Sequence, residues 1–323
     1  MKGHDEAAVV LFQLGGPDSL DAVEPFLYNL FCDPDIINFP GAFLARKFIA
    51  RKISSSRSKI VTERYREIGG KSPILDLTKA QATALENVLR KKHTVDVYIA
   101  MRYWHPLTAE VITEMKRRSY KKIILLPLYP QFSQATTVSS VKEWERQARA
   151  AGYTKIPTEM IESYHNHRLY IGAIIENIQA TVARFRPDDA IDLVFSAHGI
   201  PMSLVAKGDP YKAQIEETVR LVVDGGRWAY PHHLCYQSKV GPAEWLKPSL
   251  DETITRLGAE GRRNLLVVPV AFVTEHIETL HEINIEAREL AMRSGIRRFE
   301  MMPALNDNPK FIGCLEELVV GKL

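Results

Sequence analysis

The stretch NLLVVPVAFVTEHIETLHEINIEAREL, residues 264–290, indicates the fold of this chain most directly. It begins with a short valine-rich apolar run that does not alternate with polar residues. Such a run is typical of a strand buried on both faces of a parallel sheet. Helical spacing follows, and Thr274 is a suitable N-cap for the first helical turn. Ligands of open α/β sheets bind where such strands end, so the polar residues after this strand are candidates for a functional site.

An acidic row runs along the predicted helix when it is drawn at 100° per residue. The glutamates on this narrow face are Glu275, Glu278, Glu282, Glu286 and Glu289. A solvated acidic face is one interpretation. However, Arg288 is the only strong cation here and lies off the row. Like charges three or four residues apart cost about 0.2–0.5 kcal/mol per pair, so an unpaired row favours a bound cation or shared protons.

Length and composition restrict the possible classes of protein. A chain of 323 residues can bury a sizeable core and is expected to form two domains, at 1–165 and 166–323. The net charge of +3 is too small to favour a nucleic-acid partner. The three cysteines lack CxxC spacing, which argues against structural zinc and for a reducing compartment. No signal peptide or membrane span is apparent, so the predicted location is the cytoplasm.

Apolar strands alternate with helices along the chain, and one pattern occurs twice. KKIILLPLYPQFSQATTVSSV (121–141) aligns with RNLLVVPVAFVTEHIETLHEI (263–283). Each begins with basic residues, continues as an apolar strand with a central proline, and ends in a polar turn into a helix. This repeat predicts two doubly wound α/β domains with a cleft between them. A last helix, 308–322, is expected to pack back on the first domain.

A basic and apolar segment, residues 33–60, is called the lip below. Six basic residues and no acidic one lie between Ile36 and Thr62. The interleaved apolar residues are Phe39, Phe43, Leu44, Phe48 and Ile49. Two interpretations remain open. The lip is either a helix packed on the body with its basic tips in solvent, or a surface that meets a membrane or guides an anionic apolar ligand.

His198 ends the predicted strand AIDLVFSAHG, residues 190–199. A lone histidine at a strand end is more often structural. Opposite Glu278, however, a neutral imidazole would complete a mixed nitrogen and oxygen site that suits Fe²⁺ or Zn²⁺. The same pair could move protons. Arg102, at the end of another strand, could pair with a ligand carboxylate or with a nearby acidic residue.

Seven motifs, in order along nearly the whole chain, resemble the signatures of ferrochelatases. They are FQLGGP (12–17), YREIGGKSPI (65–74), RYWHPLT (102–108), YPQFSQATT (129–137), SAHGIP (196–201), QSKVGP (237–242) with Trp245-Leu246, and FVTEHIETLHEI (272–283). Ferrochelatases insert Fe²⁺ into a porphyrin in the last step of protohaem synthesis. The resemblance implies an α/β fold of two similar Rossmann-like domains, each with a parallel four-stranded sheet, facing a porphyrin cleft.

The resemblance also implies roles for individual residues. His198 and Glu278 are expected to be the catalytic and metal-binding pair. An acidic relay for protons or iron is expected at Glu275, Glu282 and Glu286. The positions expected to bind the porphyrin are Leu14, Tyr65, Ser72, Arg102, Tyr129 and Trp245. The Cys-bearing extension that holds a [2Fe–2S] cluster in some members is not seen after Cys314, so no cluster and no permanently bound cofactor are expected.

Three functions stay open on the sequence. The first is a protoporphyrin ferrochelatase, the second a coproporphyrin ferrochelatase, and the third a non-catalytic haem or metal carrier. The apolar lip favours the less charged protoporphyrin, and the acidic row favours an enzyme, since a carrier does not need one. The expected partners are the porphyrin, Fe²⁺ and, at the periphery, the inner face of a membrane. The oligomeric state is not predicted.

Overall fold

The chain forms two α/β units, each built around a parallel sheet of four strands. The computed structural model describes residues 6–34, 42–238 and 243–323, without the side chains of residues 42–44. The first unit is formed by described residues within Met1–Tyr129, Ser133–Ser163 and Leu315–Leu323. The second is formed by those within Pro130–Phe132 and Tyr164–Cys314. Independent folding domains at 1–165 and 166–323 stay a prediction.

The first unit has the strand order β2-β1-β3-β4. Its elements are β1 (Ala7–Gln13), α1 (Val23–Phe31), α2 (Ala42–Glu67), α3 (Ile74–Leu89), β2 (Val95–Met101), α4 (Thr108–Met115), β3 (Lys122–Pro127), α5 (Ser139–Ala150) and β4 (Thr158–Met160). A π-helical turn, Gln134–Val138, leads into α5. All strand pairs are parallel, so the predicted crossover connections are confirmed.

The second unit repeats this order as β6-β5-β7-β8, again all parallel. Its elements are α6 (Arg168–Val182), β5 (Ile191–His198), α7 (Met202–Ala206), α8 (Tyr211–Gly226), β6 (His232–Gln237), α9 (Leu250–Ala259), β7 (Asn264–Pro269), the π-helix Glu278–Ala287, α10 (Arg288–Arg293), β8 (Arg298–Met301) and α11 (Pro309–Val320). Two similar doubly wound units with four-stranded parallel sheets are therefore present, as the sequence predicts.

The central strands are buried, as their unbroken apolar runs predict. Every residue of β1 is buried, and on β7 only Asn264 is partly exposed. Leu265 and Val267 on β7 pack in one cluster with Ile283 and Ala287 from the π-helix. Full burial of one such side chain contributes about 1.5–3 kcal/mol. The same packing directs the opposite, glutamate-bearing side of the π-helix away from the sheet.

The registers of the two sheets identify equivalent positions in the two units. Phe12 pairs with Pro127 in the first sheet, and Ser196 pairs with Pro269 in the second. Two residues further along the equivalent strands, Leu14 in the first unit therefore corresponds to His198 in the second. The internal repeat thus has a candidate metal ligand in one unit and an aliphatic side chain in the other.

From residue 42 onwards the lip is helical, and part of this helix packs on the body. Ala50 and Ser54 on α2 are buried, and Arg51 lies 6.0 Å from the ring centre of Tyr28 on α1. Positions 35–41, including Phe39, and the side chains of Phe43 and Leu44 lie outside the described residues. Phe48 and Ile60 on α2 are 73% and 64% exposed. No helix in the described ranges is long and apolar enough to cross a membrane.

The acidic helix begins later than the sequence suggests and differs in type. Helical structure starts at Ile277, so the expected N-cap at Thr274 is wrong. From Glu278 to Ala287 the helix is π-helical, with hydrogen bonds between residues five apart. Glu275 therefore precedes the helix and is not part of its acidic face. Plotting the sequence at 100° per residue does not reveal the π-helix, because the pattern of apolar and acidic residues is nearly the same for an α-helix and a π-helix.

Candidate functional site

His198 lies at the carboxyl end of β5, where the sequence predicts a ligand-binding edge. Its Nδ1 is 2.6 Å from the carbonyl oxygen of Gly199 and donates to it. The lone pair of Nε2 is therefore available, which is how metal-binding histidines are usually oriented. Nε2 lies 3.7 Å from Oε1 of Glu278. The hydroxyl of Tyr211 donates to the backbone carbonyl of His198 at 3.0 Å, which fixes the strand end.

Glu278, the first residue of the π-helix, has a second histidine neighbour. Nδ1 of His276 donates to the carbonyl of Thr274 at 3.0 Å, and its Nε2 lies 3.4 Å from Oε2 of Glu278. Burial disfavours a charge on His276, but the hydrogen bond and charge of Glu278 outweigh burial and raise the pKa of His276. Burial likewise opposes ionisation of Glu278, yet His198 and His276 outweigh it and hold the pKa of Glu278 low.

This arrangement can bind a divalent ion and move protons. Protein nitrogen and oxygen ligands lie roughly 2.0–2.2 Å from a divalent ion such as zinc, so donors 3.7 Å apart can contact the same ion. An imidazole with a carboxylate is a donor set that suits Fe²⁺. The described residues contain no group of three or more His, Cys, Asp or Glu side chains arranged to hold a metal.

Two residues at this edge were given no role by the sequence. His276 was not predicted as a site residue, although its place two residues before Glu278 in TEHIET (274–279) could have indicated that the two side chains are neighbours. Gln237, at the end of β6, is the first residue of the motif QSKVGP. Its Nε2 donates to the backbone carbonyl of Glu278 at 3.2 Å, and its Oε1 accepts from Ser196 at 2.7 Å. Gln237 therefore joins β5 and β6 to the start of the π-helix.

Glu282 and Glu286 follow Glu278 along the π-helix at steps of four residues. Glu282 accepts a hydrogen bond from the hydroxyl of Ser238. Glu286 has a carboxylate oxygen 3.7 Å from Nδ1 of His281. Exposure of the side chain rises from 19% at Glu278 to 45% at Glu286. The three carboxylates therefore extend from a mostly buried position to the surface.

Glu275 is placed differently from the other relay candidates. Its Oε1 accepts from the backbone N–H of Ala304 at 2.8 Å, and its Oε2 accepts from the hydroxyl of Thr279. Glu289, the last glutamate of the predicted row, lies on α10 and faces Arg293 at 3.7 Å. Of the five glutamates, the three central ones, Glu278, Glu282 and Glu286, therefore lie on the π-helix itself.

Five of the six expected porphyrin-binding residues belong to the first unit. Leu14 and Tyr129 follow β1 and β3, and burial raises the pKa of Tyr129 to about 12. Tyr65, near the end of α2, is buried. Ser72 is buried against Gly16, where an added Cβ would lie 2.6 Å from Cβ and Oγ of the serine. Only glycine fits at this turn after β1.

Arg102, the fifth, is held by an acidic residue that sequence reasoning missed. Its Nη2 donates to Oδ2 of Asp33 at 2.7 Å, and its Nε donates to Ser139 at 3.0 Å. The hydroxyl of Tyr103 also donates to Asp33, at 2.6 Å. The Asp33 carboxylate is fully buried. Of the two partners considered for Arg102, the structure shows the nearby acid, and removing one member of a buried pair typically costs about 3–5 kcal/mol.

Trp245, the sixth, lies in the second unit beside His198. The centres of the two rings are 6.4 Å apart. Gly199 permits this approach, because an added Cβ would lie 3.3 Å from the indole ring. The indole Nε1 is buried and has no hydrogen-bond partner among the described residues. Buried tryptophan N–H groups usually have a partner, and this one is an exception.

Comparison with known proteins identifies the family of this chain. The ferrochelatase family model matches residues 6–323. The chain is 48% identical over 315 residues to a ferrochelatase of Geobacter metallireducens, covering 98% of both. It is 45% identical over 322 residues to the chloroplastic ferrochelatase-2 of Arabidopsis thaliana, covering 98% of this chain and 63% of that one. SirB from Bacillus subtilis with Fe³⁺ shares the fold, with a TM-score of 0.57 and 12% identity over 98% of this chain and 94% of that one. The chain belongs to the ferrochelatase family and is a metal chelatase.

Proposed function

We propose that this chelatase inserts Fe²⁺ into protoporphyrin IX, releases two protons and yields protohaem, the last step of haem synthesis. The observation that supports it most is the pair formed by Nε2 of His198 and Oε1 of Glu278, 3.7 Å apart at a strand-end edge. Metal insertion must remove two pyrrole N–H protons while the ion sheds water. A base and a carboxylate side by side suit both tasks.

In this proposal His198 and Glu278 contact the reacting centre. The hydrogen bond from Nδ1 of His198 to Gly199 keeps the Nε2 lone pair available to accept a pyrrole proton or to hold iron. Glu278 is ionised at neutral pH, because neighbouring histidines hold its pKa low. Protons then pass to Glu282 and Glu286, whose increasing exposure leads towards solvent. The same carboxylates could deliver iron in the opposite direction.

The choice of protoporphyrin over coproporphyrin rests on charge. Coproporphyrin carries four carboxylates and would need additional cations. Arg102 is already paired with the buried carboxylate of Asp33, so it is less able to bind a carboxylate of the porphyrin. The alternative of a non-catalytic carrier does not agree with membership of a family of metal chelatases, and binding alone does not require the graded acidic path.

The test is anaerobic insertion of Fe²⁺ with each porphyrin, followed by the spectral change from free base to metalloporphyrin. We expect turnover with both rings, and a higher kcat/KM with protoporphyrin IX. A higher kcat/KM with coproporphyrin would reverse the substrate assignment. Tight binding of haem without any conversion of free base would favour the carrier.

We further propose a peripheral contact of α2 with the inner face of a membrane. Phe48 and Ile60 are the two most exposed large apolar side chains of the described residues. They lie on a helix with six basic residues from 46 to 59. Apolar side chains among cations are typical of surfaces that bind anionic lipid.

Vesicle sedimentation provides the measurement for this contact. The protein should bind vesicles containing anionic lipid more strongly than neutral ones, and added salt should weaken binding because it screens charges. Replacing Phe48 and Ile60 with serine should reduce binding, whereas Met292→Ser, at an exposed methionine on α10, should not. Equal sedimentation with neutral and anionic vesicles would contradict the electrostatic part.

A further inference from the structure

A network of hydrogen bonds joins the chain just before the π-helix to the loop after β8. Asn306 N–H donates to the carbonyl of Val273 at 2.8 Å, and Glu275 N–H donates to Oδ1 of Asn306 at 3.2 Å. Asn306 adopts a left-handed backbone conformation, with φ of 45°, which asparagine tolerates better than most residues. The carboxylate of Glu275 completes the network by accepting the N–H of Ala304 at 2.8 Å.

The loop after β8 is itself anchored from a different element. Nδ2 of Asn177, on α6, donates to the carbonyl of Pro303 at 3.1 Å. Ala304 is buried. The carboxylate of Glu275 therefore bonds to backbone that is held independently of the π-helix, and it can act as a fixed point for the segment that carries it.

Glu275 is also connected to the candidate site through Thr279. The buried hydroxyl of Thr279 donates to Glu275 and accepts the backbone N–H of His276 at 3.1 Å. His276 in turn places its Nε2 3.4 Å from Glu278. The path from Ala304 to Glu278 thus consists of short polar contacts, each made by a described residue.

We infer that Glu275 is a positioning residue, which fixes His276 and Glu278 through its hydrogen bonds and not through its charge. This inference rests on the proposed function and assigns Glu275 a role other than the relay expected from the sequence. Both carboxylate oxygens already accept hydrogen bonds from groups inside the unit, and Glu275 lies before the helix that carries Glu278, Glu282 and Glu286.

Glutamine can replace both hydrogen bonds, and this makes the inference testable. Its amide oxygen can accept from Ala304 as the carboxylate does. Its amide nitrogen can donate to the Thr279 hydroxyl, which then donates to the carbonyl of His276, 3.0 Å away. Alanine can make neither bond. A relay residue shows a different pattern, because glutamine cannot ionise and should be as harmful there as alanine.

The experiment compares Glu275→Gln and Glu275→Ala in single-turnover metal insertion, with porphyrin affinity measured separately. We expect Glu275→Ala to lose roughly 10- to 100-fold in insertion rate, the size of effect that a small misplacement of reacting groups can produce, with little change in porphyrin affinity. Glu275→Gln should stay near the parent rate. The matched control is Glu289→Ala, at an exposed glutamate that pairs with Arg293 on the same helix, α10.

Amide hydrogen exchange at Ala304 supplies a readout that does not depend on activity. Exchange should be faster in Glu275→Ala and unchanged in Glu275→Gln. A folded Glu275→Gln variant without insertion activity would overturn the inference, even if Glu275→Ala fails to fold. Unchanged exchange at Ala304 in a folded Glu275→Ala variant would also overturn it. If the parent protein inserts no metal, the proposed function is wrong. Hydrogen exchange at Ala304 then still tests whether the carboxylate of Glu275 holds this loop.

Discussion

His198→Ala is expected to slow metal insertion by roughly 10²- to 10⁴-fold, the range typical of a lost general acid or base. The variant lacks the Nε2 lone pair that faces Glu278 at 3.7 Å. The fold should persist, because the substitution removes a partly exposed side chain at a strand end, and Tyr211 still bonds the backbone carbonyl there. The measurement is single-turnover insertion, with porphyrin binding followed by fluorescence.

His232→Ala is the matched control for this experiment. His232 is an exposed histidine at the first position of β6 in the same unit, and its removal should leave insertion unchanged. Thermal melts of both variants should resemble that of the parent. Near-normal turnover in a folded His198→Ala variant would show that the base has been assigned wrongly.

Glu278→Gln is expected to reduce the insertion rate by a similar factor, because glutamine keeps the shape of the side chain but cannot ionise. It should also lower the pKa of His276, since the hydrogen bond and charge of Glu278 are what outweigh burial and raise that pKa. The histidine ring signals in an NMR titration measure the second effect. An unchanged pKa of His276 would mean that the two side chains do not interact in solution.

The effect should decline along the path to solvent. Glu282→Gln and Glu286→Gln should slow insertion progressively less than Glu278→Gln, without weakening porphyrin binding. Glu289→Gln, outside the path on α10, is the control and should have no effect. Unchanged rates at both Glu282 and Glu286 would exclude the relay and leave His198 and Glu278 acting without it.

The structure changes the stability expected for Glu278→Gln. Repulsion between like charges suggests that glutamine should not destabilise the row. However, His198 and His276 hold the pKa of Glu278 below that of a free glutamate. Its ionised form therefore stabilises the fold above the ordinary glutamate pKa, and this contribution is lost as the pH falls through the lowered pKa. The variant should melt below the parent at neutral pH, and the difference should diminish in acid.

The order of elements and the edge that carries the site were determined by the sequence. The unbroken apolar runs of β1 and β7 predict buried parallel strands, because only strands covered on both faces lose the polar alternation. The repeat of residues 121–141 in 263–283 predicts two units, and both have the same strand order. His198 is then predicted to lie at the ligand-binding edge, because it ends β5 and ligands bind at the carboxyl ends of parallel strands.

Only the tertiary structure decided which groups are partners. Asp33 and Arg102 are 69 positions apart in the sequence, and no local pattern joins them. The π-helix depends on backbone hydrogen bonds between residues five apart, which the pattern of apolar and acidic residues does not distinguish from an α-helix. The pKa of Glu278 and the hydrogen bonds of Glu275 likewise depend on burial and on neighbours from other elements. Periodicity in a sequence reports which face of an element is buried, whereas the charge and partner of a side chain depend on the groups that folding brings within a few ångströms of it.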